Sequence, residues 1–521
     1  MKINSKILAG LFLIIVVVFS ATACKKFLDR KPLSATLNDY GSVVDGQAIG
    51  MYYVFDFYAG FNTLPWLDFN SIRDDDAQKG SSTTDGAEIN TEFETFQYTK
   101  DDWATNTYWD DHYYMINKAN QLLFYADSLK LSDEASLRNV GEAHFFRAYS
   151  YFELVKAYGE VPLIDYFYTN SAEGIRPKSS VNDIYALIDK DLDTASRLLP
   201  VNWYNSTISA NPFPGRLTTG AAKTLWAQTY LFRQNWAKVV SLCDQVIGSG
   251  KYHLASNFTD VWREGVGNKG KNGPESILEM QAFLGAGGAP DEGSFFGVSQ
   301  NVRQGGAPPQ WNLGWGWNTP TDVLVAAWDS TDPRKAMTIL YSGQSDGGTA
   351  TGGFGATLPI YKPGTALDQK YWNKKVYSDP AVRQVTGTQT SGYSGAWVNH
   401  RILRYADVLL MKAEASNEVG EGATAEALLE QVRARARSSG SNPAVLPHIA
   451  FTSKDQMRTA IKNERRWEFA MEGYRFYDLV RWGDAQTALG SLGYTNRCRF
   501  YPIPQKAIDL AGGVLVQNPE W

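Results

Sequence analysis

Length, composition and charge narrow the class of protein. The 521 residues are 44% apolar and 20% charged, which is typical of globular chains and not of disordered or fibrous ones. Lys and Arg number 50 against 55 Asp and Glu, giving a formal net charge of -5. Because phosphate recognition needs a clustered basic excess, this balance argues against a nucleic-acid partner. The 16 Trp, 28 Tyr and 25 Phe exceed what one core needs, so we expect some of them to face a ligand.

The N-terminus has the pattern of a bacterial lipoprotein signal. Lys2 and Lys6 precede an apolar run over residues 7–19, which is shorter than the about 20 residues that span a bilayer and is typical of a signal peptide. Small residues follow it, up to Cys24. We therefore predict a signal peptide over residues 1–23 and lipidation of Cys24, which would anchor the mature chain to a membrane. Ordinary secretion with an incidental Cys24 is the alternative.

Helical periodicity dominates two parts of the chain. Over much of 46–260, apolar residues recur at three- and four-residue steps, which indicates helices. The stretches 217–232 and 236–247 are close enough in sequence to form an antiparallel helix pair, and 405–417 with 424–436 repeats the pattern. Alanines alternate with large apolar residues in both pairs, as in tetratricopeptide repeats that stack. The sequence therefore predicts an all-α, tetratricopeptide-like scaffold.

The stretch between these helical parts has a different composition. Residues 261–400 hold 23 of the 46 glycines, and an interior glycine costs a helix about 1 kcal/mol relative to alanine. We therefore predict a large loop-rich insertion over 261–400 that carries the ligand site, since loops on a rigid scaffold commonly carry recognition. The scaffold would then consist of residues 46–260 and 401–521, preceded by an N-terminal tether over 24–45.

Two catalytic motifs occur in the sequence, but the residues around each do not fit the structure that the motif requires. Gly343–Gly347 matches the nucleophile-elbow pattern, but glycine-rich sequence follows where that motif needs a helix. Residues 265–270 match a dinucleotide fingerprint, yet residues 271–274 are a poor opening for the helix that would receive the phosphate. The five histidines are scattered without metal-ligand spacing. We therefore predict no enzyme, no metal site and no cofactor; calcium is a possibility that the pattern does not predict.

Carboxylates near tryptophans are the strongest catalytic candidates. Asp74–Asp76, Asp101–Asp102 and Asp110–Asp111 lie close in sequence to Trp66 and Trp103. Paired acids beside aromatic rings occur in glycosidases, in non-catalytic sugar sites and in calcium loops. A solvated acidic turn is a further interpretation, because charge runs usually face water. All of these interpretations stay open at the level of the sequence.

Residues 464–483 combine opposite charges with aromatic residues. Charges of opposite sign recur at three-residue steps, as in Arg465 with Glu468 and Asp478 with Arg481, and apolar residues occupy most positions between them. We expect such charges to be at least partly buried, and buried ions are tolerated when each is paired. We interpret the segment as a helix with a structural ion-pair network, since such networks perturb pKa values without catalysis.

Several segments make the chain resemble the SusD/RagB family. They are the mature start Cys24–Asp29, the helix Arg404–Glu414, the segment Glu464–Gly483, and Tyr501–Gln505 with Gln517–Pro519 near the C-terminus. Together they bracket nearly the whole mature chain in the expected order. The family consists of surface lipoproteins of Bacteroidetes-type bacteria that bind nutrients, usually glycans, for import.

The resemblance implies a fold, a location and a partner. It implies a tetratricopeptide-like helical core with a variable loop-rich half. It also implies a lipid anchor in the outer membrane, at the cell surface, and a SusC-like TonB-dependent barrel on which the protein sits as a lid. It implies no shared ligand residues, because those of the family vary with the substrate.

The candidate ligand site follows from the chemistry of sugars. Sugars present apolar C–H faces and hydroxyl edges, so a site for them combines flat aromatic rings with fixed amides or carboxylates. The stretches 311–318 and 371–374 offer this combination. The candidate ligand-binding residues are Trp311, Trp315, Trp317 and Trp372 with Asp74, Asp75 and Asp76, joined by Trp66 and Trp103. For each tryptophan the alternative is packing of a loop onto the helices, as large aromatics usually pack.

These features together predict capture of a ligand without catalysis. We expect an anchored, non-enzymatic protein that captures an oligosaccharide and delivers it to a TonB-dependent outer-membrane transporter. One alternative is a peptide-binding version of the same import lid. Another is a surface glycoside hydrolase that uses two of the carboxylates between Asp74 and Asp111, and a third is a purely structural scaffold without a small ligand.

Overall fold

Helices form most of the structure. The computed structural model describes residues 42–203, 213, 215–263, 270–282, 295–303, 311–365, 369–381 and 398–521. Its α-helices are α1 (Asp45–Phe57), α2 (Ala59–Asn62), α3 (Leu64–Leu67), α4 (Ala87–Ile89), α5 (Trp103–Ser128), α6 (Glu134–Tyr158), α7 (Val181–Leu198), α8 (Thr219–Phe232), α9 (Trp236–Gly248), α10 (Thr259–Trp262), α11 (Phe295–Gln300), α12 (Asp322–Ala327), α13 (Pro333–Thr338), α14 (Tyr405–Val419), α15 (Gly422–Ser438), α16 (Lys454–Glu468), α17 (Arg475–Trp482), α18 (Ala485–Leu489) and α19 (Gln505–Leu510). The predicted all-α class is confirmed.

The N-terminal predictions fall beyond the described ranges. The signal peptide, Cys24 and most of the tether precede residue 42. Among the helices that the structure describes, none combines the length and the apolar content that a membrane span requires.

The long helices pack against their neighbours in the chain. Helix α6 contacts α5 and α7, α7 contacts α8, and α8 contacts α9. Helix α14 contacts both α9 and α15, so the C-terminal helix pair extends the same layer. The predicted pairs 217–232 with 236–247 and 405–417 with 424–436 are thus confirmed as α8 with α9 and α14 with α15. Helix α8 begins at Thr219 because the Thr218 hydroxyl caps it, accepting a hydrogen bond from the Ala221 N–H at 3.3 Å.

Residues 464–483 form parts of two helices, α16 and α17, and the prediction of one helix there is wrong. Between the two, Met471 and Gly473 have left-handed backbone conformations, with φ of 66° and 79°, which end a right-handed helix. A Cβ atom at Gly473 would lie 2.6 Å from the ring of Trp66. Glycine therefore suits this turn both by its conformation and by its lack of a side chain.

Within the described ranges, four two-stranded antiparallel sheets accompany the helices. They are β1 (Ala77–Gly80) with β5 (Trp317–Pro320), β2 (Val161–Pro162) with β3 (Lys178–Ser179), β4 (Ser276–Met280) with β8 (His400–Arg404), and β6 (Ile339–Tyr341) with β7 (Tyr371–Asn373). We call the first pair the β1–β5 ribbon and the last the β6–β7 ribbon. The glycine content of 261–400 did not indicate β4 to β7, the four strands that lie within this stretch. The domain boundaries stay a prediction.

A buried group of charges, which we call the Arg–Glu cluster, joins the helical scaffold to the middle of the chain. The Glu468 carboxylate accepts hydrogen bonds from Arg404 at 2.7 Å and from Arg334 at 2.9 Å, and Arg435 donates a further one. Burial opposes ionisation of Glu468, but the three guanidinium charges hold its pKa well below the usual range. The members of the cluster, all 8% exposed or less, are Glu275, Arg334, Lys375, Arg404, Arg435, Glu464, Glu468 and Glu472.

The Arg–Glu cluster anchors both strands of the β6–β7 ribbon. Arg334 lies on α13, which leads directly into β6. Lys375 follows β7, and its ammonium group donates to the Glu472 carboxylate at 2.5 Å and to the backbone carbonyl of Glu468 at 3.0 Å. Burial lowers the pKa of Lys375 to about 8, against the opposing charge of Glu472. The ribbon is therefore attached to α16 and to the turn that follows it.

Glu468→Gln tests how much this cluster contributes to stability. The substitution removes one buried negative charge and leaves three buried arginines with less compensation, so we expect the free energy of unfolding to fall by about 3–5 kcal/mol. Urea denaturation at neutral pH measures it. The matched control is Asp127→Asn, which removes the exposed pair with Lys130 and should change stability little. Equal losses in the two variants would contradict the importance of the cluster.

Candidate ligand-binding site

Two ribbons lie side by side and bring most of the predicted ligand residues together. Asp74–Asp76 lead directly into β1, and Trp317 begins β5, which also contacts β7. Trp372 lies on β7, and its ring packs against Gly316, where a Cβ atom would lie 3.1 Å from it. Predicted residues from the N-terminal part of the chain and from its middle thus meet at one place in the fold.

Four of the predicted tryptophans are packed inside the protein. Trp372 is fully buried, and its indole N–H donates to the Ser342 hydroxyl at 3.0 Å. Trp311 belongs to the same small hydrophobic cluster. Trp317 and Trp66 are each 7% exposed and belong to the main core. In this structure the four rings pack as the alternative interpretation describes, and a ligand contact by any of them stays a prediction.

Trp315 and Trp103 keep more of their rings exposed. Trp103 is 43% exposed and is the first residue of α5, on the helical scaffold. Trp315 is half-buried in the segment that precedes β5, and its ring lies 6.3 Å from that of Phe295 at an angle of 60°. Among the predicted tryptophans beside the ribbons, Trp315 therefore offers the most accessible ring.

Asp74, Asp75 and Asp76 are bound to arginines and to the backbone. Asp75 accepts a hydrogen bond from Arg475 at 2.8 Å, and Asp76 accepts one from Arg466 at 3.0 Å. Asp74 accepts two from the backbone N–H groups that follow it, at 2.7 and 2.9 Å. Because Asp74 and Asp76 are 5% and 2% exposed, the interpretation as a solvated acidic turn is wrong. Burial opposes ionisation of Asp75, but the hydrogen bond and charge of Arg475 lower its pKa. As ligand contacts, the three stay a prediction.

The loop that follows β1 closely approaches the segment that precedes β5. Gly80 and Ser81 have φ of 70° and 56°. A Cβ atom at Gly80 would lie 2.4 Å from the carbonyl oxygen of Gly316, so only glycine fits between the two segments. The Lys79 ammonium group fixes the loop by donating to three of its carbonyl groups, at 2.9 to 3.1 Å. The loop therefore has a defined shape next to the ribbon.

Arg303 and Asp85 form an ion pair at the surface of this loop. Arg303 donates to the Asp85 carboxylate and to the Ser81 hydroxyl, and that hydroxyl donates to Asp85 at 3.0 Å. The side chains are 31% and 34% exposed. The hydrogen bond from Arg303 lowers the pKa of Asp85. Thr83 and Thr84 expose further hydroxyls on the same loop.

Trp315, Arg303 and Asp85 form the candidate ligand-binding site. A Cβ atom at Gly316, the residue after Trp315, would lie 3.0 Å from the Cβ of Arg303, so the backbone segment that carries the ring passes directly beside Arg303. A partly exposed ring can stack on the apolar face of a sugar, while the carboxylate accepts and the guanidinium donates hydrogen bonds to hydroxyls. Sequence reasoning missed Arg303 and Asp85 because they pair across 218 residues, a separation over which local charge patterns carry no signal.

Three of the remaining predicted acids, Asp102, Asp110 and Asp111, have partners elsewhere. Asp110 pairs with Lys506 at 2.8 Å. Asp111 accepts a hydrogen bond from the backbone N–H of Gly60 at 2.8 Å, and burial raises its pKa to about 6. Asp102 caps α5. Across the ranges that the structure covers, no three His, Cys, Asp or Glu residues form a group that could hold a metal ion.

The carboxyl group of Glu92, near Asp102, has a raised pKa. Burial raises the pKa of Glu92 to about 7, and the charge of Asp102 adds to the effect. The Thr99 hydroxyl donates to one of its carboxylate oxygens at 3.0 Å. Asp68, which is fully buried, has its pKa raised by burial and then by the same Asp102 charge. Carboxyl groups with separated pKa values also occur in acid–base catalysis, but a fully buried acid is out of reach of a polymeric substrate.

Glu92→Gln tests this titration. An acid whose pKa rises from about 4.3 in the unfolded chain to about 7 in the fold destabilises the fold as pH rises through that interval. Glutamine stays neutral, so the variant should gain stability relative to the natural chain at pH 8 and less at pH 5. Urea denaturation at both pH values measures the difference. Exposed Glu173→Gln is the control, and a gain in Glu92→Gln that does not depend on pH would refute the interpretation.

Two family models match the chain. The model of the SusD family matches residues 274–497. A second model, described as starch-binding associating with the outer membrane, matches residues 26–231. The two matches lie in the N-terminal and C-terminal parts of the chain, and each includes residues of the ribbons.

Relatives and solved structures agree with these matches. SusD-like protein P38 of Formosa agariphila is 27% identical over 409 residues, 76% of each chain. A laminarin-binding SusD-like protein of known structure is 28% identical, with a TM-score of 0.70 over 91% of this chain and 98% of that one. Surface glycan-binding protein A from Bacteroides thetaiotaomicron, solved with laminarihexaose, is 20% identical with a TM-score of 0.69, over 91% and 98% of the two chains, and shows the fold alone. On these matches, the protein belongs to the SusD/RagB family.

Proposed function

We propose that the protein captures an oligosaccharide at the cell surface and delivers it, without cleaving it, to a TonB-dependent outer-membrane transporter. The observation that carries the proposal is the partly exposed Trp315 ring on a segment that passes beside the oriented Arg303–Asp85 pair. The ring suits the apolar face of a sugar, and the pair suits its hydroxyl edge. Because the two charges neutralise each other, the site favours an uncharged glycan.

Relatives support a glycan as the ligand. A relative of known structure is described as laminarin binding, and a protein of the same fold was solved with laminarihexaose. Laminarin is therefore the first polysaccharide to test. A peptide ligand would use the same ring and ion pair, so an array that carries both glycans and peptides separates the two.

The contacts of the carboxylates favour capture over hydrolysis. Glycosidases flank the scissile bond with two carboxyl groups about 5–10 Å apart, one of them free to donate a proton. In the candidate site Asp85 is bound to Arg303. Asp75 and Asp76 are bound to Arg475 and Arg466. We therefore expect the purified protein to release no reducing ends from laminarin, and their release would favour the hydrolase instead.

Trp315→Ala tests the placement of the site. Loss of the ring removes the stacking surface, so we expect the affinity for laminarihexaose to fall at least about fivefold, that is by about 1 kcal/mol or more. Isothermal titration calorimetry measures it. Phe124→Ala is the matched control, since Phe124 is an exposed ring on α5 that is 52% accessible. Unchanged affinity in the Trp315 variant would refute the placement, whereas absence of glycan binding by the natural chain would refute the proposed function.

Delivery to a transporter requires the protein to stay at the outer membrane. One of the matched family models is described as associating with that membrane, and Cys24 follows a signal-peptide pattern. Acyl chains on Cys24 would supply the anchor, because two or more chains give stable attachment where one does not. A SusC-like TonB-dependent barrel would be the partner that receives the ligand.

Cys24→Ser tests the anchor. In the native host, the natural chain should incorporate an alkyne-labelled fatty acid and sediment with membranes, because the thiol of Cys24 is the expected attachment point. The variant should do neither. Cys243→Ser is the control, since Cys243 is a buried free cysteine, and it should label as the natural chain does. Label that persists in Cys24→Ser would contradict the proposed lipidation.

A further inference from the structure

The β6–β7 ribbon carries a second group of accessible aromatic and polar side chains, which the candidate site does not use. Tyr341 and Tyr371 are cross-strand partners, and their rings meet edge to face, with centroids 5.4 Å apart at 86°. Both are half-buried. Asp322 and Lys370 lie beside them with side chains 65% and 53% exposed. We call these four residues the tyrosine platform.

Strand alternation places the two tyrosines on the outer face of the ribbon. Successive side chains of a strand point to opposite faces. Leu340 pairs with Trp372, and both belong to a buried hydrophobic cluster on one face. Tyr341 and Tyr371 belong to the other face, where they only partly cover a different cluster. The accessible ring of this strand is therefore Tyr371, one residue before the Trp372 that the sequence analysis selected.

Asp322 holds the platform in one arrangement. Its carboxylate accepts a hydrogen bond from the Lys370 ammonium group at 2.7 Å and one from the Tyr371 hydroxyl at 3.0 Å. The Lys370 hydrogen bond, followed by that of Tyr371, lowers the pKa of Asp322, so the carboxylate is ionised at neutral pH. Thr321 caps α12, and Asp322 is its first residue. A group fixed in advance loses less conformational entropy when it binds a ligand.

The support under the platform is also fixed. Strand β6 follows Arg334 and strand β7 precedes Lys375, and both residues belong to the buried Arg–Glu cluster. Below the tyrosines, the rings of Trp328 and Trp467 stack at 5.5 Å and 19°, and all four rings belong to the same hydrophobic cluster. The platform is thus a rigid surface and not the tip of a loop.

We infer that the tyrosine platform is a second carbohydrate-binding subsite, which takes a pyranose ring of an uncharged glycan. The inference rests on the proposed function. A tyrosine ring can stack on the C–H face of the sugar, while Asp322 accepts and Lys370 donates hydrogen bonds to its hydroxyls. Since Asp322 and Lys370 neutralise each other, the platform favours hydroxyl groups over a charged ligand.

Affinity measurements with laminarin test the subsite. Tyr371→Ala should lower the affinity at least about fivefold, and Tyr371→Phe, which keeps the ring and loses the hydroxyl, should lower it less. The matched control is Tyr125→Ala, because Tyr125 is an exposed tyrosine on α5 that is 38% accessible, and it should bind as the natural chain does. Natural affinity in a folded Tyr371→Ala protein would overturn the subsite.

Hydroxyl-radical footprinting of the natural chain covers the case in which Tyr371→Ala fails to fold. Saturation with laminarin should protect Tyr341 and Tyr371 from oxidation and leave Tyr125 unchanged. If the natural chain binds laminarin, and Trp315→Ala weakens that binding, while neither tyrosine is protected, the subsite is wrong and the proposed function stands. If the natural chain binds no carbohydrate, the proposed function and the subsite fail together.

Discussion

The buried Arg–Glu cluster is the constraint on which the arrangement of the β6–β7 ribbon depends, and it fixes helix α16, whose Arg466 binds Asp76 ahead of β1. An ionised side chain inside a protein costs several kcal/mol unless it is paired, so each arginine of the cluster must reach its carboxylates. Arg334, Arg404 and Glu468 come from α13, β8 and α16, and their hydrogen bonds are directional, unlike hydrophobic contacts. Several arrangements of the helices and strands could bury the same apolar surface. An arrangement is stable only if it also pairs these buried charges.

The two ribbons are therefore held from the same pair of helices. Helix α16 and the turn after it bind the β6–β7 ribbon through Glu468 and Glu472. Arg466 on α16 and Arg475 on α17 bind the aspartates that lead into β1. Each ribbon is too short to be stable alone, since isolated two-stranded hairpins are marginal in water. The ion pairs provide the stability that a larger sheet would otherwise provide. A glycine-rich part of the chain can therefore present side chains at fixed positions.

Local patterns in the sequence predict those features that depend on local physics. The helix pairs α8–α9 and α14–α15 follow from apolar periodicity and short connections, and the buried charges of residues 464–483 follow from their spacing. Contacts between residues that are far apart in the sequence escape prediction. The pattern predicted one helix at 464–483 because it does not show that Trp66 fills the space over Gly473. It left a solvated turn open for Asp74–Asp76 because the arginines that bind Asp75 and Asp76 lie about 400 residues away.

The aromatic residues of the β6–β7 ribbon are of two kinds: some are packed inside the protein, and others lie on the open face of the ribbon. A step of one residue along β7 turns a side chain from the buried cluster around Trp372 to the open face of Tyr371. The anchors of this ribbon lie before β6 and after β7, at Arg334 and Lys375, so its attachment to the scaffold does not depend on the side chains of its open face. Such residues can change without disturbing the scaffold. The buried Arg–Glu cluster keeps the ribbon in place while residues on the open face vary. This is a physical basis for one fold that presents different binding surfaces.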